Sequence, residues 1–291
     1  MIVLLELLSR LLAVLPRPAA LAFGRGLGWV LSTVIRHRRH YVLETLAHCL
    51  PDRTPAEHRR IYRQMFRHLG MTVVEQMRVT IHGLDRIQGV ITIHGEHHLQ
   101  QIMEQRKHAL ALMAHIGNWE ICGFMTQHMN QPVSVVVKPM RNRKFDVYLT
   151  RSRERMGLDL LPATSSYWEC IKRLRQRELL AMILDQNTVA DRGIFVDFFG
   201  RSACTTPGLA ILSAQSQASV FPLFAIRRED LGYDLYILDP IEPPPDRTPE
   251  TLRSYTQKYT QAIEEIIRRH PEQWIWLHRR WKTRPGPEEP T

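Results

Sequence analysis

Two apolar stretches open the chain. Ile2 to Leu15 is mostly apolar but is interrupted by Glu6 and Arg10, and a second stretch from Ala19 to Ile35 has Arg17 before it and Arg25 within it. Neither supplies the roughly 20 consecutive apolar residues that a spanning helix needs. A cleaved signal peptide fits poorly as well, because no Lys or Arg precedes the first stretch, although Ala20-Leu21-Ala22 has the form of a cleavage site. The pattern predicts one or two amphipathic helices lying among lipid headgroups, with the basic run Arg36-His37-Arg38-Arg39 facing anionic lipid. An ordinary pair of buried helices is the alternative.

Pro51 to Pro55 breaks the pattern. Thr54 is placed to cap a helix from about Pro55 to Val79, in which Ile61, Met65, Leu69, Val73 and Met77 recur every fourth residue as one buried stripe. From Gly89 the period shortens. Strands are predicted at Val90 to Ile93, Ala109 to Met113, Val133 to Val137, Leu179 to Leu184, Val220 to Ala225 and Leu235 to Leu238. Helices are predicted between them, near His97 to Gln105, Trp119 to His128, Arg143 to Met156, Tyr167 to Arg175 and Gly208 to Gln215. A Pro-rich connector from Pro240 to Pro245 precedes a last helix from about Thr248 to His270. The alternation predicts an α/β fold, a mixed and mostly parallel sheet flanked by helices, behind an amino-terminal membrane-associated helical section. The expected division is residues 1–40 for that section, 41–285 for one α/β domain and 286–291 for a disordered tail.

Composition narrows the partners. A net charge of +10 favours an acidic one: nucleic acid, anionic headgroups, a phosphorylated substrate or an acidic carrier protein. Cys49, Cys122, Cys170 and Cys204 form no CxxC pair and lack a His at zinc-finger spacing, so neither a disulfide framework nor a metal site is implied. The densest histidine group, His94, Glu96, His97 and His98, has side chains expected to diverge along a strand end and a helix start. Trp274, Trp276, Trp281, His278, Arg279, Arg280 and Lys282 combine amphipathic rings with cations, which suits a membrane interface or a phosphorylated headgroup. No RNA- or DNA-binding motif accompanies them, so nucleic acid is set aside.

The candidate chemistry lies where the strand from Ala109 runs into His115-Ile116-Gly117-Asn118-Trp119-Glu120. A Gly permits a tight turn and an Asn can cap the following helix, which places His115 at the carboxyl edge of the sheet. Were all six residues helical, positions five apart would lie roughly 140° around the axis and could not meet. With a turn between them, Glu120 can fold back to hydrogen-bond the His115 ring, fix its tautomer and leave the other nitrogen as a base. No GxSxG elbow and no Cys beside a base is present, so direct transfer without an acyl-enzyme is expected.

This hexapeptide resembles the HX4D/E signature of glycerolipid and lipid A acyltransferases. Asp185-Gln186-Asn187, the run Arg192 to Gly200, Thr206-Pro207-Gly208, Pro271-Glu272-Gln273-Trp274 and the segment Trp276 to Pro285 follow in the same order, so nearly the whole chain resembles the bacterial lipid A biosynthesis acyltransferase family. The resemblance implies a glycerol-3-phosphate acyltransferase-like fold and an enzyme that moves a fatty acyl chain from an acyl carrier protein thioester to a hydroxyl of a phosphorylated lipid A precursor. It implies His115 as general base, Glu120 as its orienting partner, and Arg153 and Asp185 as substrate-binding contributors. Arg153 suits a phosphate or a developing oxyanion, while Arg151 and Arg155 beside it leave a solvated helix face as the alternative. No metal or organic cofactor is required, and the cytoplasmic face of a bacterial inner membrane is the expected location. The chain departs from the family pattern at Asn187, where a second carboxylate is usual, and at Cys204-Thr205-Thr206, which only approximates the usual stretch. Another lysophospholipid or glycolipid acceptor, or a basic peripheral membrane protein without turnover, are the competing readings.

Overall fold

The computed structural model describes residues 2–84, 86–104, 108–130, 132–140, 142–164 and 167–286. The expected tail from 287 onward and Gln105 at the end of one predicted helix lie outside these residues.

The amino-terminal section is helical: α1 (Ile2–Val14), α2 (Arg17–Trp29) running into a π-helical turn at Val30–Val34, α3 (Arg39–Cys49) and α4 (Pro55–His82). Thr54 caps α4 as expected, in a capping box: its hydroxyl accepts the Glu57 N–H at 3.3 Å and the Glu57 carboxylate accepts the Thr54 N–H at 2.8 Å. The stripe of every fourth residue is not the buried one throughout. Four residues turn a helix by about 400°, so such a stripe drifts around the axis, and Val73 emerges exposed while Phe66, Met71 and Val74 take over the buried face. Both α1 and α2 pack along α4. Gly24 and Gly70 face each other there, so that a Cβ on either would meet the other helix's backbone. Val3, Leu4, Leu7, Leu11 and Val14 of α1 and Phe23, Leu27 and Trp29 of α2 point outward and are exposed. Among the described residues no single helix is long and apolar enough to cross a membrane, although Arg17–Val34 and Arg39–Cys49 together pass that test as a pair bent by 94°.

The remainder alternates strands and helices: β1 (Ile91–His94), α5 (Glu96–Glu104), β2 (Ala109–Met113), a 3-10 turn at Trp119–Gly123, α6 (Phe124–His128), β3 (Val133–Val137), α7 (Arg143–Arg155), β4 (Leu158–Pro162), α8 (Tyr167–Arg175), β5 (Leu179–Ile183), β6 (Ile194–Phe198), β7 (Arg201–Thr205), α9 (Gly208–Ser216), β8 (Ser219–Arg227), β9 (Tyr233–Ile237) and α10 (Pro249–Arg269). Seven strands form one sheet in the order β1-β9-β8-β2-β5-β3-β4. All neighbours are parallel except the antiparallel β8–β9 pair, so the expected mixed, mostly parallel α/β sheet is what forms.

β2 is buried at every position, as a central parallel strand covered on both faces must be. Leu110 and Leu112 enter one core with Leu180, Leu209 and Trp274, while Ala111 and Met113 enter the other with Met125 and Leu158. Two features were not foreseen. β4 adds an edge strand, and Arg192 to Thr205, where no strand is predicted, contains the β6–β7 hairpin. Phe199 and Gly200, both at positive φ, form its two-residue turn.

Candidate active site

Parallel pairing of β2 with β5 sets the site. Leu110 stands opposite Leu180 and Met113 opposite Ile183, and the same register carries His115 opposite Asp185 where both strands leave the sheet. The His115 Nδ1 lies 2.8 Å from one oxygen of Asp185, and the His115 backbone N–H donates to the other at 2.9 Å. That second oxygen also accepts the Trp274 indole N–H at 2.8 Å. Three donors thus converge on a buried carboxylate. Burial pushes the Asp185 carboxyl up, but the His115 charge and these hydrogen bonds outweigh it and hold it down at about 2. For His115, burial is the largest influence and acts downward, but the Asp185 charge, its hydrogen bond and the Glu120 charge together outweigh it, leaving the imidazole above its ordinary 6.5. The ring is still 22% exposed, so a substrate can reach it. Trp119 packs edge-on against it, with ring centroids 5.2 Å apart.

The turn after His115 is held by backbone contacts. Gly117 has φ +61°, and a Cβ there would strike the Ala225 carbonyl of β8, so glycine answers both the conformation and the space. Asn118 does not cap the following turn as expected. Its side-chain amide donates at 3.1 Å to Glu75 of α4 and at 3.1 Å to the Tyr233 hydroxyl. Glu75 also accepts from Arg17 at 2.7 Å and Arg227 at 2.6 Å and bonds the Tyr233 hydroxyl. Opposite charge within a dry interior keeps this carboxyl ionised, its pKa lowered although burial alone would raise it. The start of α2, the middle of α4 and the end of β8 are thereby fastened to the turn that follows His115.

Glu120 does not bond His115, which corrects its expected role as the orienting partner. It is buried, and its two oxygens take Arg153 Nε at 2.9 Å and a terminal guanidinium nitrogen at 2.6 Å. The Trp119 indole N–H adds a third bond at 3.0 Å. The physical reason is competition: the strand register delivers Asp185 to the imidazole, and a forked guanidinium satisfies a buried carboxylate better than one ring N–H. Glu120 acts on His115 through its charge, which raises the imidazole pKa, and it bonds the Trp119 ring that packs against the imidazole.

Of Arg151, Arg153 and Arg155 near the end of α7, Arg153 is the one that meets the site. Arg151 faces Glu6 at 3.6 Å and Arg155 bonds the Thr80 carbonyl, on the opposite side of the helix.

The carboxyl-terminal segment closes the site from behind. Trp274, Trp276 and Trp281 are buried, not spread on a membrane interface, and with Phe198 and Phe199 they form an aromatic core. Those two phenylalanines are therefore core packing. Asn187, the departure from the family pattern, is tied to the carboxyl-terminal segment: its side chain exchanges hydrogen bonds with Thr283 at 2.9 and 3.0 Å, and its N–H donates to His278 Nε2 at 2.8 Å.

An aspartate-held histidine at the carboxyl edge of an α/β sheet, reachable from outside, has the chemistry a general base needs. The sequence profile described as "Bacterial lipid A biosynthesis acyltransferase" matches residues 2–283, and the chain belongs to that family. It is 29% identical over 273 residues to a lipid A biosynthesis lauroyltransferase of Escherichia coli, covering 93% of this chain and 88% of that one. It is 26% identical over 273 residues to a lipid A biosynthesis palmitoleoyltransferase of the same organism (93% and 87% covered). A lipid A biosynthesis acyltransferase of Haemophilus influenzae is 29% identical over 283 residues (95% and 88%).

Proposed function

We propose that this protein transfers a fatty acyl chain from an acyl carrier protein thioester to a hydroxyl of a phosphorylated lipid A precursor, with His115 as general base. The observation that carries the reading is the His115–Asp185 pair at the sheet edge. With the proton of the neutral ring held on Nδ1 by the carboxylate, Nε2 bears the lone pair. It takes the acceptor hydroxyl proton as the oxygen attacks the thioester carbonyl. Collapse of the tetrahedral adduct breaks the C–S bond, and the imidazolium returns its proton to the departing carrier thiolate. Arg153 spends two of a guanidinium's five donors on Glu120, and its charge stands beside the site for a phosphate or the developing oxyanion.

The basic chain favours both an acidic carrier and a phosphorylated acceptor. The exposed apolar rows of α1 and α2, followed by Arg36, Arg38 and Arg39, support seating on the anionic cytoplasmic face of a bacterial inner membrane.

Wild type and His115→Ala, incubated with an acyl carrier protein thioester and either a lipid A precursor or a lysophospholipid, test the reading by mass spectrometry of the product. Wild type is expected to acylate the lipid A precursor, and the variant, folded by circular dichroism, to acylate neither. Transfer to the lysophospholipid alone would replace the acceptor, absence of transfer in wild type would replace the enzyme reading, and activity retained by the variant would remove the base.

A further inference from the structure

The segment Gln273–Ile275 touches His115, Asp185 and the turn that follows His115. Ile116 and Trp274 form an antiparallel bridge, flanked by Gly117 N–H donating to the Gln273 carbonyl at 3.0 Å and Ile275 N–H donating to the His115 carbonyl at 3.2 Å. Gln273 is itself pinned to β8 at both ends of its amide, accepting the Arg227 N–H at 2.9 Å and donating to the Arg227 carbonyl at 2.8 Å. From the middle of this segment, the Trp274 indole N–H reaches the Asp185 oxygen that does not face the imidazole.

One short segment therefore grips the backbone on which His115 rides and the carboxylate that orients its ring. A buried Trp could satisfy its N–H on any carbonyl, as Trp276 does on Pro271 at 2.7 Å and Trp281 on Phe198 at 3.3 Å. Only the Trp274 bond ends on the functional carboxylate.

We propose that Trp274 is a positioning residue of the transfer reaction, fixing the plane of the Asp185 carboxylate so that its other oxygen meets His115 Nδ1. This rests on His115 being the base. Without the indole donor the oxygen it bonds keeps only the His115 backbone N–H, so the carboxylate is held less firmly about its χ2, which is a soft torsion. It also loses one of three donors, so its remaining charge bears more strongly on the imidazole. Orientation is lost while substrate contacts are untouched, so the effect belongs in kcat and not in KM.

The test uses the full-length enzyme in detergent micelles, with an acyl carrier protein thioester as donor and a lipid A precursor as acceptor. Trp274→Phe keeps an aromatic ring and removes the N–H; kcat is expected to fall about tenfold, the scale of one hydrogen bond to a charged group, with KM unchanged and the acid limb of the pH profile moved upward. Trp276→Phe removes an indole N–H from the same aromatic core and is expected to leave that limb in place and kcat within about twofold. Wild-type kinetics in Trp274→Phe, or equal effects of the two substitutions, would overturn the proposal. If Trp274→Phe does not fold, benzothienylalanine at position 274, which keeps the bicyclic ring and replaces N–H by sulfur, is judged by the same two criteria. Inactivity of His115→Ala beside unaltered Trp274→Phe kinetics would remove the positioning role alone, whereas an active His115→Ala would remove the base on which it rests.

Discussion

Replacing Asp185 by Asn changes one atom and should disable the base. One carboxylate oxygen accepts two N–H donors, from the His115 backbone at 2.9 Å and Trp274 at 2.8 Å; the other faces His115 Nδ1 at 2.8 Å. In the asparagine, the carbonyl must take the two-donor position, because an NH2 there would confront two hydrogens. The NH2 is then aimed at His115 Nδ1, which becomes an acceptor, and the ring proton moves to Nε2. The atom that should receive the acceptor's proton already carries one. A wrong tautomer of this kind is expected to cost about 10³- to 10⁴-fold in kcat, or about 4–5.5 kcal/mol of barrier. Initial rates of acyl transfer at saturating acceptor read the effect, with KM as the control. In wild type the acid limb should lie above 6.5, since the Asp185 charge and hydrogen bond, with the Glu120 charge, together outweigh burial and raise His115. If Asp185→Asn kept more than a tenth of wild-type kcat and the same acid limb, Asp185 would not be what orients the imidazole.

The same pair makes stability depend on pH in two directions. Asp185, held at about 2 against an ordinary 3.8, contributes roughly 2 kcal/mol at neutral pH; this is fully present above the unfolded value and lost as pH falls through 3.8 toward 2. His115, raised above 6.5, contributes stability below that value which is lost as pH rises through its folded pKa. These are two views of one interaction and do not add, and urea unfolding between pH 2 and 9 should show both slopes vanish in Asp185→Asn. Arg153→Met leaves the buried Glu120 carboxylate with only the Trp119 donor, and should destabilise by about 3 kcal/mol. Thermal unfolding checks this, and an unchanged midpoint would mean that the Glu120–Arg153 pair is not a structural tie.

The strands that build the floor of the site were legible because they are buried on both faces and read as short apolar runs: β2, β3 and β5 fall within a residue of their expected bounds. β4 was missed because Leu158-Asp159-Leu160-Leu161-Pro162 is a brief edge segment with a charge inside it and a Pro at its end, a pattern loops share. The β6–β7 hairpin was hidden by its turn, where a Phe occupies a positive-φ position that composition assigns to Gly or Asn. For the site, His115 was placed correctly at the sheet edge, but spacing along the chain suggested Glu120 as its partner. Asp185 was indicated by the family resemblance, but as a substrate-binding residue; that it is instead the partner of the imidazole is set by strand register, which links positions far apart in sequence. The tryptophans illustrate a further limit, since an aromatic and cationic stretch has the composition of a membrane interface whether or not it is buried. Only the packing of Phe198 against Trp274 and Trp281 assigns these rings to the core.

Nitrogen-15 NMR of the histidine-labelled enzyme in detergent, with the His115 signal assigned by its disappearance in His115→Ala, reads the tautomer at the base itself. At alkaline pH the proton is expected on Nδ1 with Nε2 unprotonated, and Asp185→Asn should reverse this while Glu120→Gln leaves it in place. A wild-type ring protonated on Nε2, or one that responds to Glu120→Gln and not to Asp185→Asn, would contradict the assignment of His115 and Asp185 as the working pair.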